Sequence, residues 1–347
     1  MTMRIKVAHI FNTANIAYYY SHILKTYGVE STVYQRATPR NVAMSKIMYG
    51  YESGNPLNVN LGWLSDGFLK RAMDLNDIRD DYDIVELHEG GGLLGSTIVN
   101  TFPSRRIAHF HGTEIRVKKD FTSGKWLRKQ YFRYAMNYDR IVLSTPDLMQ
   151  CTWKGADAVV LLNPIDPTIN EFRDKREEGF EYIFYPTRQD DAIKSSDRVF
   201  AAWRIIRESR PDLRLVAIRW GRNYPEHEAE TKGDGRVIWI DPLTRRDYIA
   251  YLKGAALVLG QFKLPIYSLI ELEAIFAGKP LVSYHSSGID APSDVAKEVL
   301  RLLNDDAYRE SSTNKQLTEI KPLYDNTKLG MQLYDIYRGV LNGEFER

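Results

Sequence analysis

Short apolar runs alternate along the chain with longer segments in which apolar residues recur at helical spacing. A helix is expected over 15–27, ended by Gly28, between the first two of these runs. Strands that are separated by crossover helices predict a parallel sheet with helices on both faces. The runs expected to form the strands of this sheet lie at 5–10, 31–34, 84–87, 107–110, 140–144 and 158–162.

The pattern breaks at Pro164 and Pro167, because two prolines so close together can continue neither a helix nor a strand. A polar run over 171–179 follows, and then a second alternating series begins, with a helix expected at 196–208. The strands of this second series are expected at 182–185, 213–218, 237–240, 257–259 and 281–283.

The two series predict an α/β protein with two tandem Rossmann-like, doubly wound domains. We place the first domain at 1–165 and the second at 166–325. An amphipathic helix over 328–341 is expected to fold back, so that 326–347 returns to the first domain. Ligands of such sheets bind beyond the carboxyl ends of the strands, and the active site is therefore expected in a cleft between the two domains.

Composition and charge exclude several classes of protein. The 347 residues include 47 Lys and Arg and 45 Asp and Glu, and a net charge of +2 argues against a dedicated nucleic-acid binder. The single cysteine, Cys151, can form neither an internal disulfide nor a thiolate zinc cluster, which favours a reducing, cytoplasmic location. No stretch approaches the ~18 apolar residues that a membrane span needs, and no signal peptide is expected.

Two segments of the second domain carry basic or acidic groups at expected strand ends. Arg188 and Lys194 follow the strand at 182–185, where both could bind one anionic ligand, although two ordinary solvated side chains would give the same pattern. A short helix expected near 268–276 would offer phosphate its free N–H groups. Glu273 in that helix could accept two ribose hydroxyls or be solvated, and Glu271 is expected to be solvated.

Several blocks of sequence, in a fixed order, resemble one family. The segment 109–116 reads HFHGTEIR, and the basic residues Arg188 and Lys194 follow it along the chain. The segment 273–280 reads EAIFAGKP, and the linker 163–166 reads NPID. Together these blocks resemble the GT-B fold glycosyltransferases, specifically the large retaining "group 1" family (family four).

The resemblance implies a nucleotide-sugar donor, a UDP- or GDP-sugar, and transfer with retention of the anomeric configuration. Arg188 and Lys194 would neutralise the leaving diphosphate, Glu273 would hold the nucleotide ribose, and His111 would face the donor sugar and the acceptor. Without the resemblance, a histidine just past a strand would more often be a hydrogen-bonded structural residue. Further donor-binding residues would be Tyr267, Ser268 and Leu269 through their backbone, Trp220 and Gly221 near the base, and Asn12 and Thr13, which could instead cap a helix.

The sequence also departs from the family pattern. A glutamate is common eight positions before the ribose-binding one, and this chain has Pro265 there, with Ile266 and Ser268 in place of the usual glycines. A non-catalytic relative that binds nucleotide sugars is therefore an alternative. The acceptor side of the expected cleft would be lined by His88, Glu89, Gly90, Gly91, Gly92, His111 and Gly112.

The glycine-rich turn supports a second alternative. Gly90 to Gly95 spells G-x-G-x-x-G with Glu114 further on, which is the dinucleotide fingerprint of an NAD(P)-dependent oxidoreductase. The fingerprint normally opens its βαβ unit, whereas here it follows a late strand. The seven histidines include no H-x-x-x-H pair, so no catalytic metal is expected.

The segment 116–133 interleaves basic and aromatic residues. Such a segment can bind anionic lipid headgroups, although a solvated helix with inward-facing aromatics would look the same. Since many relatives use lipid-linked acceptors, peripheral attachment to the cytoplasmic membrane face is an expectation, with a glycan or lipid-linked acceptor. The predicted membrane contacts are Lys118, Lys119, Lys125, Arg128 and Lys129.

Overall fold

The computed structural model describes residues 4–38, 59–88, 99–112, 115, 137–152, 156–172 and 179–344. The chain divides into two compact units, one formed by Met1–Pro164 with Tyr324–Arg347 and one by Ile165–Leu323. Each unit is built on one parallel sheet, so the prediction of an α/β chain with two doubly wound sheets is confirmed.

The sheet of the first unit has the strand order β3-β2-β1-β4-β5-β6-β7. Its central strands β1 and β4 are almost entirely buried, as expected for parallel strands covered on both faces, and they carry His9, Glu86 and His88 among apolar residues. The elements are β1 (Lys6–Ile10), α1 (Ile16–Leu24), β2 (Glu30–Arg36), β3 (Asn60–Leu64), α2 (Phe68–Asp77), β4 (Ile84–His88), β5 (Arg105–Phe110), β6 (Arg140–Leu143) and β7 (Ala158–Val160), with 3-10 turns at Thr13–Asn15, Lys25–Tyr27 and Pro146–Cys151.

The sheet of the second unit has the order β10-β9-β8-β11-β12. Its core is formed by strand residues and by one face of α4, where Val199, Trp203 and Ile206 are buried at helical spacing. The elements are β8 (Tyr182–Tyr185), α3 (Asp191–Lys194), α4 (Ser196–Ser209), β9 (Arg214–Ile218), α5 (Tyr224–Thr231), β10 (Val237–Ile240), α6 (Arg245–Gly254), β11 (Leu257–Leu259), α7 (Leu269–Phe276), β12 (Leu281–Val282), α8 (Tyr284–Ser287), α9 (Pro292–Asn304) and α10 (Asp306–Ile320).

The helix α11 (Asn326–Leu341) belongs to the first unit and packs against α1. Gly330 lies so close to α1 that a Cβ at this position would come 2.4 Å from Cγ2 of Ile23. The hydroxyl of Tyr27 donates a 2.8 Å hydrogen bond to the Thr327 carbonyl oxygen. Within the described part of the chain, no helix combines the length and the apolar character that crossing a bilayer requires.

Candidate active site

The loop after β8 contains buried polar atoms that lack partners. Thr187 Oγ1, Arg188 Nε and Gln189 Oε1 are buried, and none has a hydrogen-bond partner among the described residues. Buried polar groups are nearly always satisfied in folded proteins, so orphans on consecutive residues indicate a place for a polar ligand. The side chain of Arg188 is 40% exposed, and its Nη2 lies 3.7 Å from Oδ2 of Asp190, beyond normal hydrogen-bond distance.

Trp220 and Gly221 hold this loop in place. The Gln189 N–H donates to the Trp220 carbonyl oxygen at 2.7 Å, and the Asn223 N–H donates to the Gln189 carbonyl oxygen at 3.0 Å. Gly221 has φ +121°, and a Cβ there would lie 2.3 Å from the Gln189 oxygen, so only glycine permits this close approach. The Trp220 side chain remains 39% exposed beside the loop.

Lys194 ends the one-turn helix α3. Asp190 caps this helix, since its Oδ1 accepts a 2.9 Å hydrogen bond from the Ile193 N–H. Lys194 Nζ donates to Oε1 of Gln261 at 2.7 Å, and Gln261 Nε2 donates to the Ile266 carbonyl oxygen at 2.9 Å. The ammonium group is thereby fixed against the loop that leads into α7.

The amino end of α7 is organised by Glu271. Its Oε2 accepts a 2.5 Å hydrogen bond from the Ser268 N–H, and its Oε1 accepts a 2.9 Å bond from the Gln261 N–H. The prediction that Glu271 is solvated is wrong, because this carboxylate is fully buried and closes the turn as a capping box. Tyr267, just before the cap, packs edge-on against His285 with 4.3 Å between ring centres. Leu269 is the first residue of the helix.

Glu273 is one of two buried carboxylates that share one guanidinium. Its Oε1 accepts a 2.8 Å hydrogen bond from Nη2 of Arg245, whose Nε donates to Oδ2 of Asp166 at 2.5 Å. Asp166 also accepts from the backbone and hydroxyl of Thr168, at 2.8 Å and 2.7 Å. Sequence reasoning did not find Arg245, because 79 residues separate it from Asp166. The ribose-binding role of Glu273 stays a prediction, for a carboxylate that Arg245 already orients.

In the first unit, the loop after β1 adopts an unusual backbone. Phe11, Ala14 and Asn15 have φ values of 68°, 49° and 67°, in the left-handed region that few non-glycine residues adopt. Oδ1 of Asn12 lies 3.4 Å from the Tyr18 N–H, a weak contact at the amino end of α1. Thr13 begins the intervening 3-10 turn.

Three neighbouring strands place four histidines around one carboxylate at the carboxyl edge of the first sheet. His9 pairs with Glu86 across β1 and β4, and His88 pairs with His109 across β4 and β5. Because side chains two apart on a strand share a face, His111 joins His109. The histidine cluster (His9, His88, His109 and His111) could not be found from spacing within any one segment.

Glu86 is the charged centre of this cluster. His109 Nδ1 lies 2.6 Å from Oε1 of Glu86, and His9 Nδ1 lies 3.3 Å from its Oε2. The hydroxyl of Tyr337, on α11, donates to the same Oε2. Glu86, His9, His88 and His109 are fully buried, whereas His111 is partly exposed.

Burial and mutual contact set the charge state of the cluster. Burial, reinforced by neighbouring imidazoles, holds the pKa of His88 and of His111 well below its usual value. Burial alone would raise the pKa of Glu86, but the surrounding histidines outweigh it and hold this pKa well below its usual value. Burial and the Glu86 carboxylate raise the pKa of Tyr337. His88 and His111 are therefore neutral beside a carboxylate anion.

Two triplets in the cluster have spacing compatible with a metal. The ligand atoms of His88, His109 and His111 lie within 4.8 Å of one another, as do those of His9, Glu86 and His88. The expectation of no catalytic metal rested on spacing within single segments, which cannot detect ligands contributed by three strands. The same nitrogens also lie within hydrogen-bond distance of one another, at 3.0 Å between His9 and His88 and 2.9 Å between His88 and His111.

Gly112, a predicted acceptor-side residue, is described and follows the histidine cluster with φ +144°.

Several other predicted site residues lie outside the described residues. The alternative dinucleotide fingerprint, from Gly90 to Gly95 with Glu114, lies outside the described residues. So do the remaining acceptor-side residues Glu89, Gly90, Gly91 and Gly92 and the predicted membrane contacts Lys118, Lys119, Lys125, Arg128 and Lys129.

No protein-family model and no curated protein matches this sequence. Solved structures match over nearly the whole chain. A sucrose-phosphate synthase from Thermosynechococcus elongatus has a TM-score of 0.73 at 14% identity, covering 98% of this chain and 100% of that one. A mutant of S. aureus TarM, in complex with Fondaparinux, alpha-GlcNAc-glycerol and UDP, has a TM-score of 0.72 at 8% identity, covering 96% and 99%.

The similar structures also include a protein described as a UDP-N-acetylglucosamine 2-epimerase from Listeria monocytogenes. Its TM-score is 0.62 at 17% identity, covering 99% of this chain and 97% of that one. Identities this low establish the fold and leave the reaction open. The resemblance seen in the sequence is confirmed at that level: the chain has the GT-B fold of glycosyltransferases.

Proposed function

We propose that this protein is a glycosyltransferase that moves a sugar from a UDP- or GDP-sugar to an acceptor with retention of configuration. The observation that carries the proposal is the set of orphan polar atoms on Thr187, Arg188 and Gln189 beside the fixed ammonium of Lys194. They lie in the loops beyond the carboxyl ends of β8 and β11, where ligands of parallel sheets bind. A diphosphate would supply the acceptor oxygens that Thr187 and Arg188 lack.

The chemistry fits such a site. When the bond between the anomeric carbon and the diphosphate oxygen breaks, negative charge develops on the leaving group. Arg188 and Lys194 would neutralise that charge, and the amino end of α7 would add its backbone N–H groups. Glu273, oriented by Arg245, would accept hydrogen bonds from the ribose hydroxyls. We assign the donor to the second unit on these grounds.

The acceptor is assigned to the first unit, where His111 is the exposed member of the histidine cluster. A neutral imidazole at a strand end can contact a sugar without introducing charge. The similar structures support a donor of this class, since one contains UDP and another is described as acting on UDP-N-acetylglucosamine.

A panel of ligands and donors tests the proposal. We expect UDP or GDP, at roughly 100 times Kd, to raise the free energy of unfolding by about 2.7 kcal/mol and thereby to raise the Tm. NAD should leave the Tm unchanged. Release of the nucleoside diphosphate should then accelerate when a sugar acceptor is added. Stabilisation by NAD alone would favour an oxidoreductase, and isomerisation of UDP-N-acetylglucosamine without acceptor would favour an epimerase. Binding without turnover would indicate a non-catalytic relative.

We extend the proposal to a lipid-linked acceptor and to contact with an anionic membrane surface through 116–133, on the basic–aromatic composition of that segment. Sedimentation with vesicles should show binding that requires anionic lipid and weakens at high salt. Equal binding to neutral vesicles, or none to either, would contradict the electrostatic contact and leave the donor assignment standing.

A further inference from the structure

The histidine cluster, Glu86 and Ser144 form one closed circuit of hydrogen bonds, hereafter the circuit. His9 Nδ1 lies 3.0 Å from His88 Nε2, and His88 Nδ1 lies 2.9 Å from His111 Nε2. Ser144 Oγ then lies 2.6 Å from His111 Nδ1 and 3.4 Å from His109 Nε2. His109 Nδ1 returns to Glu86 at 2.6 Å, and His9 Nδ1 lies 3.3 Å from the other oxygen of that carboxylate.

The carboxylate determines where every proton in the circuit lies. An ionised carboxylate only accepts, so His109 presents N–H at Nδ1, and the same carboxylate favours N–H at Nδ1 of His9, which lies 3.3 Å from it. With His9 donating from Nδ1, His88 accepts at Nε2 and carries its proton on Nδ1. His111 therefore accepts at Nε2 and donates from Nδ1 to Ser144, whose hydroxyl proton points to His109.

The reverse direction is disfavoured twice. It would place the bare Nδ1 lone pair of His9 opposite the Glu86 carboxylate. It would also put a proton on His9 Nε2, a buried atom with no partner among the described residues. A buried N–H without an acceptor is rarer and more costly than a buried lone pair without a donor.

The same geometry disfavours a metal. The imidazole planes of His88 and His111 are inclined by only 9°, and their centres are 5.2 Å apart. With 2.9 Å between Nδ1 and Nε2, that spacing requires the two rings to lie edge to edge in one plane. Their lone pairs then point along the line that joins the nitrogens, where one proton fits, and away from any third point that a metal could occupy.

We propose that Glu86 is a positioning residue for His111: acting through His9 and His88, its carboxylate fixes His111 as the neutral Nδ1–H tautomer in a single orientation. His111 is the partly exposed end of a buried circuit, so this fixed tautomer is what a ligand at the strand end meets. Both ring nitrogens of His111 are held within the circuit, by His88 and by Ser144, so a ligand at the strand end meets a ring whose charge and orientation are fixed. Only the consequence for turnover rests on the proposed function.

Side-chain ¹⁵N–¹H correlation spectra of the full chain test the tautomer without any substrate. The resonances of His111 are assigned by their loss in His111→Asn. At pH 6.5, where a solvated histidine is half protonated, we expect His111 to be neutral with its proton on Nδ1. A proton on Nε2, or on both nitrogens, would overturn the proposal in the wild-type protein alone.

Glu86→Gln is the matched perturbation and Tyr337→Phe its control. The amide can both donate and accept, so E86Q should allow both directions of the circuit and give His111 as a mixture of tautomers. Y337F removes one buried hydrogen bond to the same carboxylate but keeps its charge, and should retain the single Nδ1–H form. An unchanged tautomer in folded E86Q, or one equivalent of Zn²⁺ retained by the cluster, would refute the inference.

Kinetics give the second readout. In E86Q we expect kcat to fall about 10- to 100-fold with little change in the donor KM, the pattern of a misoriented group rather than a lost binding contact. Y337F should retain most of kcat. A proportionate loss in both variants would indicate a merely structural role. If the wild-type protein turns over no nucleotide sugar, the proposed function fails, and the tautomer measurement still decides the role of Glu86.

Discussion

Replacing Arg188 with methionine is expected to lower kcat/KM for the nucleotide sugar about 100- to 1,000-fold, the usual loss when one preorganised donor to a developing anion is removed. Arg188 has a buried Nε without a partner among the described residues, and its ion pair with Asp190, at 3.7 Å, is too long for a hydrogen bond. Its capacity to donate is therefore available to a ligand. Steady-state kinetics with the donor found in the panel give the measurement.

Arg204→Met is the matched control, because it removes the same side chain from an exposed position. Arg204 is 57% exposed on α4 and pairs with Glu230 at the surface. We expect its kcat/KM to be that of the wild-type protein. Arg188→Lys keeps the charge and loses the planar guanidinium, so its kcat/KM should lie between those of R188M and R204M. Activity of R188M within a few-fold of R204M would show that the diphosphate binds elsewhere.

Replacing Arg245 with methionine is expected to lower the free energy of unfolding by about 3–5 kcal/mol, because it leaves two buried carboxylates without their shared cation. Asp166 and Glu273 have side chains only 3% and 6% exposed, so water cannot replace the guanidinium. Urea unfolding followed by tryptophan fluorescence gives the measurement, since three of the six tryptophans, Trp203, Trp220 and Trp239, belong to the second unit.

The exposed pair of Arg204 and Glu230 again provides the comparison. R204M should lower the free energy of unfolding by less than about 1 kcal/mol. Neutralising both carboxylates in the triple variant Asp166→Asn, Arg245→Met, Glu273→Gln should recover part of the loss, because the buried charges are then gone. An R245M midpoint equal to that of R204M would contradict the assignment of a buried ion triad.

The alternation of apolar runs predicted most strands because each strand is a local, continuous and buried segment. It missed β3, whose residues are mostly half-buried or exposed and which contains Gly62. That glycine is explained only by its neighbour, since a Cβ there would lie 2.2 Å from Cε1 of Tyr34. A half-exposed edge strand has no continuous apolar run, so the hydrophobic pattern of its own sequence does not predict it.

The candidate site shows the same limit. Arg188 and Lys194 could be selected because strand ends and basic residues are both visible in sequence. Glu271 was misassigned because burial of its carboxylate depends on the return of the Gln261 backbone, ten positions earlier. The histidine circuit required the register of β1, β4 and β5, which sets residues from distant segments opposite one another.

The contact between α11 and the first sheet also has a consequence for biosynthesis. The hydroxyl of Tyr337 completes the surroundings of Glu86, which is 251 residues earlier in the chain. A ribosome adds about 5–20 residues per second, so the second unit is wholly synthesised before α11 exists. The half of the protein that is translated first is therefore the last that can reach its final fold, and nascent chains must tolerate an uncovered Glu86 and an open face on α1 throughout that interval.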